Sequence, residues 1–507
     1  MNRLARLLVS LLAVAAMTAW ASAQTLVIAQ GTDAITLDPH DVTDSPTATV
    51  TSHIYETLFE LMPDGTIVPH LAESYEVSSD STTWTFNIRE GVTFHDGTPL
   101  TAEIVAGSME RFIDPDNAFR FRFLLDRIEE VSVVGPMQVQ VQLATPFAPL
   151  LAHLTHNTTA IVLPAAVEEF GEAFGENPIG TGPFAFESWD RGSRVNLVTN
   201  ENYWGDVPAI DGVSFLAVPE NTTRMALVES GEAHVAVRVP PQDIQRLDAL
   251  DNVTVENVSS LRTIYIYFNH TLEPFTDPRV RQAFNYAVNK QDIADFVLGG
   301  AVRPSDAAIA PGIFGYTDVG GYAYDPERAR ELLAEAGYPD GFSTTLYSPS
   351  GRYLQDIQIT EAVQSQLAEV GIDATIETLE WGAYLELTRQ PAGENEVPVA
   401  MLGWGTVTGD ADYGLYALFH TSQHVPDGSN RSFYSNALVD DLLDEARVNT
   451  NPAEREALYE DALRIINEDA PWLFLHSETQ LVAVNDAVSG LVIHPTERVL
   501  AWNVTVE

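Results

Sequence analysis

Between Val397 and Phe419 the chain reads Val-Pro-Val-Ala-Met-Leu-Gly-Trp-Gly-Thr-Val-Thr-Gly-Asp-Ala-Asp-Tyr-Gly-Leu-Tyr-Ala-Leu-Phe, and its middle gathers an indole, two hydroxyls and two carboxylates. Trp404 offers a flat apolar face, Thr406 and Thr408 can hydrogen-bond a peptide backbone, and Asp410 and Asp412 offer negative charge to an ammonium. Gly403, Gly405 and Gly409 would let the backbone approach a bound molecule. Spacing alone also fits an acidic surface turn with Trp404 tucked into the core, because Gly and Asp are common turn formers. Arg352 stands in Ser348-Pro-Ser-Gly-Arg-Tyr353, where a guanidinium on a strand-end loop can grip a carboxylate through two parallel hydrogen bonds. His420 and His424 are four apart, which on a helix would put both imidazoles on one face as metal ligands; solvent-facing histidines are the alternative. Asp410-Ala-Asp412 begins like a calcium loop, but Tyr413 and Gly414 break the pattern that supplies the remaining oxygens.

Other chemistry is missing. The 507 residues hold no cysteine, which removes disulfides, thiolate metal sites and a cysteine nucleophile together. No His-Glu-x-x-His, Gly-x-Ser-x-Gly or Walker-type glycine loop occurs. A hydrolase assembled from distant residues is the weaker alternative, and no cofactor is expected. Lys and Arg total 26 against 72 Asp and Glu, a formal charge of −46, and Lys290 is the only lysine. Such a field repels nucleic acid and anionic membrane. The acids are scattered, as in a strongly solvated surface suited to a saline or alkaline medium.

These groups need elements to hold them. Arg3 and Arg6 precede the apolar run Leu7 to Trp20, which ends in Ala21-Ser22-Ala23, the small-x-small pattern of an export signal; the mature chain is expected to start at Gln24, in the periplasm and without a lipid anchor. No later stretch has the ~20 apolar residues that span a bilayer. The length implies two or three domains. Runs at Thr25 to Ala29, Val139 to Leu143, Val213 to Val218, Ile264 to Asn269, Thr344 to Tyr347, Thr375 to Thr378 and Val399 to Leu402 read as strands. Helices alternate with them, from Val50 to Leu61, from the Thr101 cap with Ile104, Val105 and Met109 inward, and after Asp325-Pro326. Another follows Asn451-Pro-Ala-Glu454, with Leu458, Ala462 and Ile465 as its buried stripe. The alternation gives an α/β architecture.

The order of residues from Pro69 to Val105, with Trp84-Thr-Phe-Asn-Ile-Arg-Glu-Gly-Val-Thr-Phe-His-Asp-Gly-Thr-Pro99 at its centre, resembles the solute-binding proteins of peptide, dipeptide, glutathione and nickel ABC importers. Pro178-Ile-Gly-Thr-Gly-Pro-Phe184, Asn202-Tyr-Trp204, Pro274-Phe-Thr-Asp-Pro-Arg-Val-Arg-Gln-Ala-Phe-Asn-Tyr-Ala-Val288 and Tyr324 to Pro339 agree with it. The resemblance implies a two-lobed periplasmic binding protein fold, with an extra subdomain in the first lobe and a ligand cleft between lobes. It places the signal at 1–23, the first lobe at 24–269 with the subdomain at 69–182, the second lobe at 270–481 and a C-terminal return at 482–507. It also implies a monomer that delivers a short peptide to an inner-membrane permease and its ATPase subunits. In the peptide binders so resembled, an arginine near Arg352 holds the ligand carboxylate and an aspartate in the Gly-Trp loop holds its α-amino group. Here Val407 occupies that aspartate's position, as in glutathione binders, so either Asp410 or Asp412 takes over or the amine is not an anchor. The ligand residues expected are Arg352, Trp404, Gly405, Thr406, Thr408, Asp410 and Asp412. A nickel chelate held by His420 and His424 is the nearer rival.

Neighbouring surface carboxylates repel one another in dilute buffer, and about 1 M salt shortens the screening length to roughly 3 Å. The melting temperature is therefore expected to rise from dilute to molar sodium chloride; a flat or falling value would mean that self-repulsion does not govern the stability of this surface.

Overall fold

The computed structural model describes residues 24–506, so the expected export signal at 1–23 lies outside the described residues. A mixed sheet runs through the molecule. Its strands are β1 (Thr25–Gln30), β2 (Phe184–Asp190), β3 (Arg194–Thr199), β4 (Gly212–Ala217), β5 (Val235–Val237), β6 (Val253–Phe268), β7 (Phe342–Pro349), β8 (Ile372–Leu379), β9 (Val399–Gly405) and β10 (Trp472–Asn485). Their spatial order is β8-β7-β9-β6-β10-β5-β1-β4-β3-β2, and a two-residue strand at Arg303–Pro304 pairs with β10 beside this path.

Everything in the sheet passes through β6 and β10. The first part of β6, Val253–Ser259, faces Thr479–Asn485, where Val482–Val484 also pairs with β5. The last part, Arg262–Phe268, pairs with β9 on one side, and from Thr263 onward with Trp472–Ser477 on the other. Between Ser259 and Thr263 the register shifts, which bends a strand and raises its local twist. Beyond the shift Ile264, Ile266 and Phe268 enter one buried cluster while Tyr265 and Tyr267 enter another, so this half is covered on both faces. Sequence reading recovers only that half, Ile264 to Asn269. Val253 to Val258 interleaves Thr, Glu and Asn with valine and leaves much of one face exposed, which weakens its apolar signal.

Within residues 69–182 a separate antiparallel sheet forms from Ala72–Val77, Thr83–Ile88, Gln138–Leu143 and Ile128–Gly135. The helix Ala102–Ile113 packs on it, capped by the Thr101 side chain, which accepts from the Ile104 N–H at 3.4 Å. Val105 and Met109 are buried as the spacing predicts, whereas Ile104 is only half-buried.

Two helix expectations shift. The segment predicted as a helix over Val50 to Leu61 is helical at Ser45–Ile54, capped by Asp44, and Phe59–Leu61 is instead a strand paired with Ile67–Pro69. Pro46 suits a first helical turn, which moves the start upstream. In the helix Pro452–Asp469 the buried stripe is Arg455, Tyr459, Ala462, Leu463 and Ile466, with Leu458 and Ile465 half-buried. The helix is rolled because Arg455 turns inward to pair with Asp410 at 2.9 Å. The Asp325 cap forms as expected, its side chain accepting from the Arg328 N–H at 2.9 Å.

Buried charges fasten the region after β9. Asp410 caps the helix Ala411–Phe419 through the Asp412 N–H and pairs with Arg455. Asp412, fully buried, sits 3.2 Å from Arg447 Nε and 3.2 Å from His153 Nε2. Burial pushes the Asp412 carboxyl up, but Arg447 and then His153 pull it below its ordinary value. Arg447 donates to the Phe123 carbonyl at 3.0 Å and lies 3.8 Å from the Tyr416 ring centre, so the cluster ties residues 123–153 to the helices after the loop. Lys290 is likewise buried and ion-paired with Asp306, and burial brings its ammonium down to about 7.

Removing one member of a buried ion pair leaves its partner uncompensated, commonly costing about 3–5 kcal/mol. Asp412→Ala is expected to lose that much in urea unfolding. A loss below about 1 kcal/mol would mean that Arg447 and His153 do not depend on it.

Candidate ligand-binding site

A cleft of about 850 Å³, its open mouth included, is lined by residues from distant parts of the chain. Thr43 to Ser45, Arg120, Phe121, Asn157 and Arg498 line it together with Arg262, Arg352, Trp381, Arg389, Trp404 and Arg431. Six of these residues are arginines, in a chain with 26 basic residues against 72 acids. Among the described residues the only carboxylate in the lining is Asp44. Its oxygens already accept from the Thr47 N–H and hydroxyl at 3.1 and 2.9 Å. Burial raises its pKa, opposed by the charge of Arg352.

Arg352 is 2% exposed. Its loop follows β7, and the helix Asp356–Glu369 fixes it: Asp356 accepts the N–H groups of Arg352 and Tyr353 at 2.8 and 3.1 Å. The guanidinium lies 4.8 Å from the Tyr353 ring centre and 5.1 Å from that of Trp381. Its Nε and Nη1 are buried with no hydrogen-bond partner among the described residues. A guanidinium pre-oriented by two aromatic faces, with free N–H donors, is built to take an anion.

Arg262 differs because its donors are used. It reaches Glu497 at 2.7 Å, the Gly403 carbonyl at 2.9 Å and the Ser45 hydroxyl at 2.7 Å. Glu478, opposite the register shift of β6, lies 3.5 Å from the same guanidinium and accepts the Leu354 N–H at 3.2 Å. Burial and then the charge of Glu497 push Glu478 up, whereas Arg262 holds Glu497 down against its own burial. The side chain forms part of the cleft wall and is already neutralised from behind.

Trp404 and Gly405, at the end of β9, line the cleft as the residue types suggest. The indole packs on Tyr413 with centroids 5.0 Å apart and on Phe121 at 6.0 Å. Gly403 serves the fold: a Cβ there would meet Ile264 Cδ1 at 2.5 Å and Tyr353 Cε1 at 2.9 Å, so its missing side chain admits protein atoms. Thr406 and Thr408 are buried behind the wall, Thr408 bonding within its own turn. Asp410 and Asp412 are turned away into the ion pairs with Arg455 and Arg447, which corrects the expectation that one of them offers its charge to an ammonium. Val407 itself lines the cleft.

The histidines are also apart from it. The helix stops at Phe419, so His420 and His424 do not share a helical face. His420 stacks on Tyr416 with centroids 4.5 Å apart and contacts the Ser422 hydroxyl at 2.8 Å, while His424 Nε2 faces the Tyr434 carbonyl at 2.9 Å. Neither lines the cleft, and no group of three or more His, Asp or Glu side chains placed to hold a metal occurs among the described residues.

Sequence reasoning missed Arg120, Arg262, Arg389, Arg431 and Arg498. They come from separate parts of the chain and share no local motif. Their one signal was the scarcity of basic residues, which makes any arginine away from an acidic partner worth attention.

Comparison with known proteins fits this arrangement. Residues 66–425 match the family model described as bacterial extracellular solute-binding proteins, family 5. The glutathione-binding protein GsiB of Pectobacterium atrosepticum is 35% identical over 95% of this chain and 94% of its own. The periplasmic binding protein DppA from Helicobacter pylori, solved with the peptide STSA, superposes with a TM-score of 0.89 at 30% identity, covering 95% of this chain and 98% of that one. AgaA of A. tumefaciens R10, solved with agropinic acid, gives 0.86 at 28%, covering 95% and 99%. No helix among the described residues is long and apolar enough to cross a membrane. With the fold, a preformed cleft and a match over most of its length in agreement, the chain belongs to the family 5 bacterial extracellular solute-binding proteins, which bind solutes and are not enzymes.

Proposed function

We propose that this protein is the periplasmic receptor of an ABC importer that captures a short peptide or glutathione-like ligand in the arginine-lined cleft and presents it to an inner-membrane permease with its ATPase subunits. The observation that carries the reading is Arg352: buried, stacked on Tyr353 and Trp381, and facing the cleft with unpartnered N–H donors. It would hold the ligand's carboxylate, while Trp404 covers an apolar or planar part and Gly405 lies beside it. Peptide and glutathione binding among the similar proteins supports the same ligand class.

The lobes would comprise residues 24–269, with 69–182 as the extra subdomain, and 270–481, closed by the return at 482–507. Flexing about β6 and β10 would bring the walls together. Contacts made only when both lobes meet favour the closed state, so ligand shifts the population toward it. Export through a cleaved signal ending at Ala23, with no cysteine available for lipid, would leave the receptor free in the periplasm as a monomer.

Loss of a buried charged partner commonly costs about 2–5 kcal/mol, at least a tenfold weakening. Calorimetric titration of Arg352→Ala with glutathione and short peptides should show that loss, and C-terminal amidation of the ligand should weaken the parent protein similarly. Equal binding of normal and amidated ligands by parent and variant would overturn the carboxylate clamp.

A further inference from the structure

Arg352 accounts for one ligand charge, but the cleft wall carries more cations than a single carboxylate can use. Arg120, Arg389 and Arg431 line it together. Each is tethered through one donor group: Arg120 to the Gly428 carbonyl at 2.6 Å, Arg389 to the Thr43 hydroxyl at 3.2 Å and Arg431 to the Thr388 hydroxyl at 3.3 Å. None is ion-paired within 4.0 Å among the described residues. Arg389 Nε is buried without a hydrogen-bond partner, and Arg431 is only 7% exposed. Burial, and then the charges of Arg431 and Arg120, drive Arg389 down toward about 8; burial and Arg431 likewise bring Arg120 to about 10. The three guanidiniums therefore stand in one another's field.

Like charges held together away from water destabilise the protein that holds them. With 72 acids in the sequence a neutralising partner would be easy to place. Asp41 and Asp44 act on Arg389, and Asp41 and Asp427 on Arg120, only from longer range than an ion pair, and Asp44 is committed to its helix cap. The carboxylates of the adjoining pocket are also engaged: Glu56 pairs with His70 at 3.0 Å and accepts from Tyr203 and Trp204, and Glu60 lies 3.7 Å from His70. Among the described residues none that lines the cleft offers an unengaged carboxylate to an ammonium.

Resting on the reading of this cleft as the ligand site, we propose that Arg120, Arg389 and Arg431 form a second anion-binding subsite, and that the receptor selects small acidic peptides bearing two or more carboxylates over neutral zwitterionic ones. One carboxylate goes to Arg352. Another goes to the triad, where it relieves the mutual repulsion of the guanidiniums, so the gain grows with ligand charge. Bidentate geometry at planar guanidiniums favours carboxylates over diffuse negative charge.

Calorimetric titration of the intact protein with Ala-Ala, Ala-Glu and Glu-Glu, and with tricarballylate as a non-peptide tricarboxylate, tests this. Affinity is expected to rise about tenfold with each added carboxylate along the peptides, and the spread to shrink in molar salt. Arg389→Gln and Arg431→Gln should each weaken Glu-Glu at least about tenfold and change Ala-Ala less than about threefold. If these variants do not fold, Arg120→Gln and the peptide series on the parent decide. Ala-Ala binding as tightly as Glu-Glu, or variants that weaken both equally, would overturn the subsite while leaving the peptide receptor standing. Should no peptide bind but tricarballylate bind in an Arg389-dependent way, the subsite stands and the peptide reading falls; if tricarballylate fails as well, both fall.

Discussion

Arg262 stands where the two long strands of the sheet lose register, and much of the molecule is arranged around neutralising it there. The shift between Ser259 and Thr263 leaves Glu478 opposite a bend, and the guanidinium reaches Glu497 on the returning chain, Ser45 at the start of the first helix, and the carbonyl of Gly403 in β9. A single buried cation thus joins segments more than 200 residues apart in sequence. Burial and then the charge of Glu497 push Glu478 toward its neutral form, while Arg262, with Arg352 and Arg238 farther off, holds Glu497 down against its own burial. The same junction carries the only continuous path of strand pairing between the two halves of the sheet among the described residues.

Much of the fold was legible in the sequence because caps and apolar periodicity act locally. Asp325 and Thr101 announced their helices, and short strands such as Thr25–Gln30 and Gln138–Leu143 were found to within one residue. What escaped was set by distant partners. The roll of the helix Pro452–Asp469 follows from Arg455 meeting Asp410, and no pattern within the helix reveals that meeting. The site was legible in the same partial way. Arg352, in a glycine-flanked loop, and Trp404 and Gly405, at the glycine-rich end of β9, stand in stretches of unusual composition and line the cleft. Asp410 and Asp412 have equally suggestive composition, yet buried arginines claim them from behind. A carboxylate in a glycine-rich loop looks the same in sequence whether it serves a ligand or a helix cap.

The charge distribution is strongly divided. Acids dominate the chain as a whole, while the cleft is lined by arginines, most without an ionic partner. A low-dielectric wall strengthens short-range attraction, whereas water and salt weaken the long-range field outside. The exterior and the cleft therefore act on an anion at different distances and with opposite sign.

Lys290 has a consequence for handling this protein. It is the one side-chain amine in the sequence, its side chain is 6% exposed, and it is paired with Asp306. Reagents that attack lysine, among them activated esters, aldehydes and reducing sugars, meet no accessible ε-amine on the folded surface. Coupling to a support or a dye through lysine would have to open the structure first, while carbodiimide chemistry at the abundant carboxylates would proceed freely. The folded protein is in this sense chemically one-sided: rich in sites for acid-directed conjugation and closed to glycation or acylation at lysine.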